Sequence, residues 1–534
     1  ILFWQDRKEW ACGAAVTARR ITPRLRRIRN MPCSIHHMTI FTVMGAPITA
    51  LRCPHFYLQR RETVNILLSM LKKLPEYEAL LSALEARQAV AVSGVSQIIR
   101  SHFISALIAE SERPALIVCQ DDLAAQRAQA ELAAFLGSTP PLLPARELTL
   151  YESASVSREW EHRRMRLLYG LATGKVKVLV ASMEALSLRT VPRQTLFGGL
   201  VTLKCGAEYD LDSLTARLVR AGYSRTSLVE GVGQFALRGG ILDVFSPAHD
   251  QPIRAEFFGD ELDAMGFFDP LTQRRTENLD EAVLLPVAET VPFLHPDGAE
   301  GLCKDLSALI ARQKRRKTPN KALISTLEGD IDKLQGGVPL TAADRYMALI
   351  YPEFSTAADY VSRDAAVFFC DHGNLRRASK ARMEDFGLSL DSYLQSGTLA
   401  GELCEFYCTY DELAGRFREN GAIYFDSFLS AQFPEELPPK RILSITAKQL
   451  PGYGGSLETA VQDLKHYVKN GFGCLVLCGG KRRGEILKGM LAEQSVDALL
   501  AFPATRLPQS VSTSSRISGL MMNTTLVKPA RIAS

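Results

Sequence analysis

The sequence predicts an α/β fold: a parallel sheet with helices on both faces, interrupted by an antiparallel α+β insertion and followed by a small α/β domain. Three observations carry this. Short apolar or β-branched runs, Ala89 to Val92, Ala115 to Cys119, Val176 to Val180 and Ala366 to Cys370, alternate with helical segments such as Leu123 to Phe135, the pattern of strands buried on both faces. Between Val201 and Ala288 the hydrophobic period changes to two, as in half-buried antiparallel strands. Near Leu450 a loop leads into a further helix–strand–helix unit.

The chain has 534 residues, more than one hydrophobic core accommodates at about 100 to 200 residues per domain, so three or four units are expected. Its formal net charge of +5 is spread thinly and does not by itself point to nucleic acid. The 11 cysteines are scattered and odd in number. The close pairs Cys404 with Cys408 and Cys474 with Cys478 lack a second pair at zinc spacing, so they read as reduced thiols of a cytoplasmic protein without a metal site. The longest uncharged stretch, Met38 to Leu51, contains Gly45 and Pro47 and falls short of the roughly 18 to 20 apolar residues of a membrane span, so no membrane association is expected.

Taken in order, residues 1–63 carry Arg19, Arg20, Arg24, Arg26, Arg27 and Arg29 without a sustained period. Asp6 and Glu9 fit an organellar presequence poorly, and the stretch reads as an unstructured or mis-started leader. Residues 64–200 open with Leu67, Leu68, Leu71, Leu74, Leu80, Leu81 and Leu84 at helical spacing and form the first half of the scaffold. In the insertion, 201–288, Asp210 caps a helix with Leu214 and Leu218 on its buried stripe, and Gly222 ends it. Residues 289–447 form the second half of the scaffold, where the run Lys314 to Lys317 reads as a solvated face or linker, with phosphate binding as the lesser alternative. The small domain is 448–502, with a helix from Ser456 to Lys469, a strand Cys474 to Leu477 and a helix from Lys481. The tail 503–534 lacks periodicity.

After the strand Ala89 to Val92 come Gly94, Val95, Ser96, Gln97, Ile98, Ile99, Arg100 and Ser101, then a helix expected from His102. This is the place of a phosphate loop. A working G-x-x-x-x-G-K-[ST] loop needs its second Gly so that backbone N–H groups can cradle phosphate, and its Lys to reach the β and γ phosphates. Ile99 and Arg100 stand there instead. A magnesium-holding Asp-Glu after a buried strand is replaced by Asp371 and His372. Two independent losses predict a degenerate nucleotide site, with no catalytic residue and no cofactor or metal in this chain.

In the insertion, alternation puts Ile253, Ala255 and Phe257 on the core face and Arg254, Glu256 and Phe258 on the other. In the preceding strand Phe235 and Leu237 alternate against Gln234, Ala236 and Arg238, which lets Arg238 join that surface. Arg, Glu and an exposed aromatic are the mixture of a protein–protein hot spot; an ordinary solvated sheet face with a cross-strand salt bridge is the bland alternative.

The runs Gly233-Gln-Phe-Ala-Leu-Arg-Gly-Gly-Ile-Leu-Asp-Val-Phe245, Ile253-Arg-Ala-Glu-Phe-Phe-Gly-Asp-Glu-Leu-Asp263 and Phe268-Asp-Pro-Leu-Thr-Gln-Arg274 resemble the amino-terminal part of the bacterial transcription-repair coupling factors, a region similar to the damage-recognition protein UvrB. Leu143-Pro144, Tyr151-Glu152 and Arg163 to Tyr169 extend the resemblance, which covers roughly Val64 to Val496.

The resemblance implies a UvrB-like scaffold in two halves with a UvrA-binding domain inserted between them, the contacting residues matching Arg238, Arg254, Glu256 and Phe258. It implies that the damage-threading hairpin of UvrB has no room between Leu150 and Arg158. It also implies that RNA polymerase, double-stranded DNA, ATP and magnesium engage parts of the full-length protein beyond this sequence. Two rivals stand beside it. A UvrB-like ATP-binding damage-recognition protein would need an intact Gly-Lys-Thr loop, and a generic basic DNA-binding protein would need a clustered Lys and Arg stripe.

Overall fold

A computed structural model describes residues 2–5, 38–42, 71–72, 74–152, 157–428, 432–445, 456–470, 472–478 and 481–501. Most of residues 1–63, the first turns of the Leu-rich helical segment, the loop from Pro451 to Gly455 and the tail beyond Ala501 lie outside them.

The scaffold is a seven-stranded parallel sheet. Its order is Arg441–Ser444, Val90–Ser93, Ile423–Phe425, Ala366–Cys370, Ala115–Cys119, Val178–Ser182 and Leu142–Leu143. Strands from the two halves of the sequence interleave, so neither half can form this sheet alone. The central strands are buried along their whole length, which is why they read as continuous apolar runs. One face (Val90, Val92, Ile117, Phe368, Ile423, Phe425) packs on the helices Pro75–Glu85, Gln97–Ser111 and Asp122–Leu136. The other (Ala91, Leu116, Val118, Phe369, Tyr424) packs beneath the helix Glu159–Ala172 and the helices after residue 289.

The insertion begins and ends on one antiparallel pair, Val201–Lys204 against Glu281–Leu284. Between them lies a six-stranded sheet in the order Arg275–Asn278, Glu261–Phe268, Ile253–Phe258, Ile241–Val244, Gln234–Arg238 and Ser224–Arg225. Leu214 and Leu218 of the helix Leu211–Arg220 close the core over Phe235, Leu242, Val244, Ile253, Ala255 and Leu262. Asp210 caps that helix by accepting from the Ser213 N–H. Past its end Gly222 has φ +91°, and a Cβ there would come within 2.6 Å of Val287, so both conformation and space favour Gly.

In the small domain the helix Leu457–Lys469, capped by Ser456, the strand Phe472–Cys478 and the helix Lys481–Glu493 occur as expected, followed by the strand Ala498–Ala501. Two short strands, Leu2–Gln5 and Met38–Thr42, join its sheet. They fall in the stretch expected to be an unstructured leader. The difference has a local cause, since Met38-Thr-Ile-Phe-Thr42 is apolar and β-branched, too short to show a period yet suited to a strand.

The two halves meet, at the residue where the insertion ends, in a buried charge network. Arg164, fully buried on the helix Glu159–Ala172, donates from Nε to Glu289 Oε1 at 2.5 Å and from Nη1 to the carbonyls of Pro144 and Ala185. The Thr190 hydroxyl donates to the other Glu289 oxygen. Arg146 grips Asp344 through both Nη atoms, at 2.7 and 3.1 Å, with its Nε 3.2 Å from Glu289 outside hydrogen-bonding geometry. Asp344 also accepts from the Thr149 N–H and the Thr290 hydroxyl. Burial pushes the Glu289 carboxyl up, but Arg164 and Arg146 outweigh it and hold it below the usual carboxylate range.

Removing one member of such a set leaves a buried charge uncompensated, at a cost of about 3 to 5 kcal/mol. Glu289→Ala is expected to lower the urea midpoint of the scaffold by that equivalent, and Glu289→Gln by less. A Glu289→Ala loss under about 1 kcal/mol would show that water reaches the network.

Candidate functional site

The site is built by strand register. On the insertion sheet Arg238 stands opposite Ile241, which stands opposite Glu256; in the next row Ala236 faces Asp243, which faces Arg254. All six therefore share the face turned away from the main core, and Phe258 follows at the end of its strand, opposite Glu261. The structure brings Arg238, Arg254, Glu256 and Phe258 together on one surface. The register shift between Glu256 and Phe257 is taken up by the partner strand, so the alternation of Ile253–Phe258 survives and Phe257 packs against the core.

The residue that organises this face is one the sequence reading passed over. Asp243 is buried and receives Arg238 Nη2 at 2.5 Å, Arg254 Nε at 2.7 Å and Arg254 Nη2 at 2.9 Å. Arg254 further donates to the backbone carbonyl and to the side-chain oxygen of Gln273, and its guanidinium lies 4.5 Å from the centre of the Phe268 ring. Arg275 reaches across to Glu256 at 2.8 Å. The signal was present in Ile241-Leu-Asp-Val244, a charge inside an apolar strand, but its two partners lie on neighbouring strands and are fixed only by register.

One expectation needs correction. Ala236, placed on the polar face, is fully buried there with Val229 and Phe268 in a second small core, because the Phe268 ring covers that part of the sheet. Arg254, placed on this face as a candidate contact residue, forms the cross-strand salt bridge of the alternative reading, to a buried carboxylate. What remains open on this face is its outer end. Phe258 is 84% exposed, with Arg238 and part of Ile241 and Glu256 beside it, and Leu271 on the loop held by Asp269 is 93% exposed.

At the place of the phosphate loop, the helix starts at Gln97 and not at His102. The loop between strand and helix has shrunk to Gly94-Val-Ser96. The Arg100 N–H, which a phosphate loop would leave free for the ligand, is used by the Ser96 carbonyl at 3.0 Å. Gly94, at φ +81°, serves a close crossing, since a Cβ on it would lie 2.0 Å from the Ile445 carbonyl oxygen.

The other side chains of this place have protein partners. Arg100 Nη2 pairs with Asp371 Oδ2 at 2.6 Å, and Asp371 Oδ1 accepts from the Ser427 N–H. His372 is buried, bound through Nδ1 to Asp426 at 2.7 Å and stacked on Phe433. Ser101 donates to Glu131, and Ile99 packs against the core. The cavity between the helices Gln97–Ser111 and Asp122–Leu136 holds about 180 Å³, below the roughly 300 to 1,000 Å³ of ordinary ligand sites. These residues do not fit a nucleotide triphosphate and its magnesium. Among the described residues no group of three or more His, Cys, Asp or Glu could hold a metal ion, and no helix is long and apolar enough to cross a membrane.

Residues 201–289 match the UvrB interaction domain family. The chain is 28% identical over 77% of its length to a transcription-repair-coupling factor of Myxococcus xanthus. It is 23% identical over 81% of its length to that of Bacillus subtilis (strain 168), and 23% identical over 77% to that of Staphylococcus haemolyticus (strain JCSC1435). It spans only 35 to 37% of the length of these relatives. The likeness read from the Gly233–Phe245 and Ile253–Asp263 runs thus holds both for the insertion and for most of the chain.

Two outcomes follow from the geometry. Arg254→Ala leaves Asp243 with Arg238 alone and is expected to destabilise the insertion by about 1 to 3 kcal/mol, whereas Phe258→Ala should change its denaturant midpoint by less than about 0.5 kcal/mol. Equal losses would place Phe258 in a packed position. Isothermal titration with Mg-ATP should show no saturable micromolar binding; binding abolished by Arg100→Ala would mean that the Arg100–Asp371 pair opens to admit phosphate.

Proposed function

We propose that this chain, a relative of the amino-terminal region of transcription-repair-coupling factors, recruits UvrA through the outer face of its inserted sheet. The supporting observation is the pairing of a strongly exposed aromatic, Phe258, with Arg238, Glu256 and Ile241 on a domain that matches the UvrB interaction domain family. An exposed aromatic beside charges that already hold each other suits a hot spot. Burying the ring yields apolar area, and the flanking ion pairs form a polar rim without leaving a lone charge in the interface.

In this reading the scaffold is a support, its nucleotide place filled by the Arg100–Asp371 and His372–Asp426 pairs, and a UvrB-like ATP-dependent role for these residues is set aside. The wider setting, nucleotide-excision repair at RNA polymerase stalled on damaged DNA in the cytoplasm, belongs to the same proposal. So do ATP-driven translocation and polymerase contact by the full-length protein.

Titration of UvrA into the chain tests the assignment. Loss of one hot-spot anchor costs about 2 kcal/mol, so Phe258→Ala should weaken binding roughly thirtyfold with an unchanged circular dichroism spectrum, and Arg238→Ala less. Arg254→Ala should weaken it as well, with the accompanying loss of stability. If Phe258→Ala and Arg238→Ala both bind UvrA like the wild type, the face is misassigned.

A further inference from the structure

We infer that the turn joining the helices Gly298–Lys314 and Lys321–Gln335 is a contact site for the phosphate backbone of a nucleic acid. The two helices form an antiparallel hairpin, and its tip gathers Arg312, Lys314, Arg315, Arg316, Lys317 and Lys321, all exposed. In sequence the basic run is four residues long; folding adds Arg312 from the last turn of one helix and Lys321 from the first turn of the next. No carboxylate occurs between Asp305 and Glu328.

Lys314 and Arg316 are engaged by Glu328 and Glu402, each at 2.9 Å. Arg312, Arg315, Lys317 and Lys321 have no ion-pair partner among the described residues. Folding gives no reason for this excess. Cations at the end of the first helix suit its dipole, but Lys321 sits in a first turn that has no acidic residue, where a positive charge is unfavourable by a few tenths of a kcal/mol.

The chemistry of the partner follows from what the tip lacks. From Ala311 to Ala322 there is no aromatic and no large aliphatic side chain, so there is neither an anchor for a protein hot spot nor an apolar group to enter a membrane. Free cations beside Thr318 and Asn320 suit a dense row of phosphates, bound without regard to base sequence.

The test uses the full chain and fluorescence anisotropy, with a labelled 20-base-pair DNA duplex and the RNA duplex of the same sequence as separate arms; the tighter arm names the source of the phosphates. Replacing Arg312, Arg315, Lys317 and Lys321 together by Gln should weaken binding at least tenfold at low salt. The plot of log K against log salt should become shallower by up to about 3.6, since each of the four phosphate contacts contributes about 0.9. The half-variants R312Q/R315Q and K317Q/K321Q should each give part of the loss, with unchanged circular dichroism. The control removes four other exposed cations, Arg220, Arg225, Lys469 and Lys488, and should leave the slope nearly unchanged. Equal losses in the two quartets would overturn the proposal, because affinity would then follow net charge alone. Displacement of the duplex by polyglutamate as readily as by unlabelled duplex, charge for charge, would overturn it in favour of an acidic protein.

Discussion

The structure turns on one buried carboxylate, Glu289, held by Arg164, Arg146 and Thr190. It stands at the residue where the inserted domain hands the chain back to the scaffold. Arg164 belongs to the first half, Asp344 to the second, and Arg146 contacts both Glu289 and Asp344. A pair of ions in a dry interior gains little net stability over apolar packing, but a mismatched arrangement is severely unfavourable. The network therefore ties the first half of the scaffold to the residue at which the insertion ends and to the second half beyond it. Arg166, two residues along the same helix, reinforces this by binding the carbonyls of Pro247 and His249 and the carboxylate of Asp250.

The place of the phosphate loop obeys the same rule in reverse. A ligand site keeps donors and carboxylates unpaired until its ligand arrives. Here the helix begins early and consumes the Arg100 N–H, Arg100 Nη2 pairs with Asp371, and His372 is tied to Asp426, while the buried Arg100 Nε has no hydrogen-bond partner among the described residues. The Arg100–Asp371 pair ties the end of the strand Ala366–Cys370 to the helix Gln97–Ser111. Two positions that read in the sequence as simple departures from a phosphate loop carry internal contacts in the structure, so replacing Arg100 by Lys alone would not build a cradle.

What the sequence revealed and what it hid divide along physical lines. The strands Val90–Ser93, Ala115–Cys119, Val178–Ser182 and Ala366–Cys370 were visible as apolar runs and the insertion as period-two alternation, because both patterns are local, whereas the equally buried Ile423–Phe425 is too short to stand out. The helix Leu211–Arg220 was visible with its cap and its terminal Gly222. Partners fixed by register were not: Asp243 sits 5 residues from Arg238 and 11 from Arg254, and Asp344 is 198 from Arg146. Ala236 was misplaced because alternation assumes one wet face, and Phe268 had dried the other. Met38–Thr42 was missed because five residues carry no period, and its pairing with Phe472–Cys478 is long-range.

The pairing of Arg254 changes how the candidate face works. Arg254 does more than offer a charge at the rim: through Asp243 and Gln273 it binds the strand Ile253–Phe258 to its neighbour and to the loop that carries Leu271. Asp269 pins the other side of that loop through the Leu271 and Thr272 N–H groups. An exposed Phe258 and an exposed Leu271 would lose affinity to conformational entropy if they moved freely, since ordering a side chain or loop on binding costs about 0.5 to 1.5 kcal/mol per group. The Asp243 cluster fixes the backbone that carries Phe258 and Leu271 during folding, so in the proposed reading a partner has only their side chains left to order. Substitutions at Arg254 and Asp243 must then act on binding through order as well as contact, and Phe258 is the position where contact can be read alone.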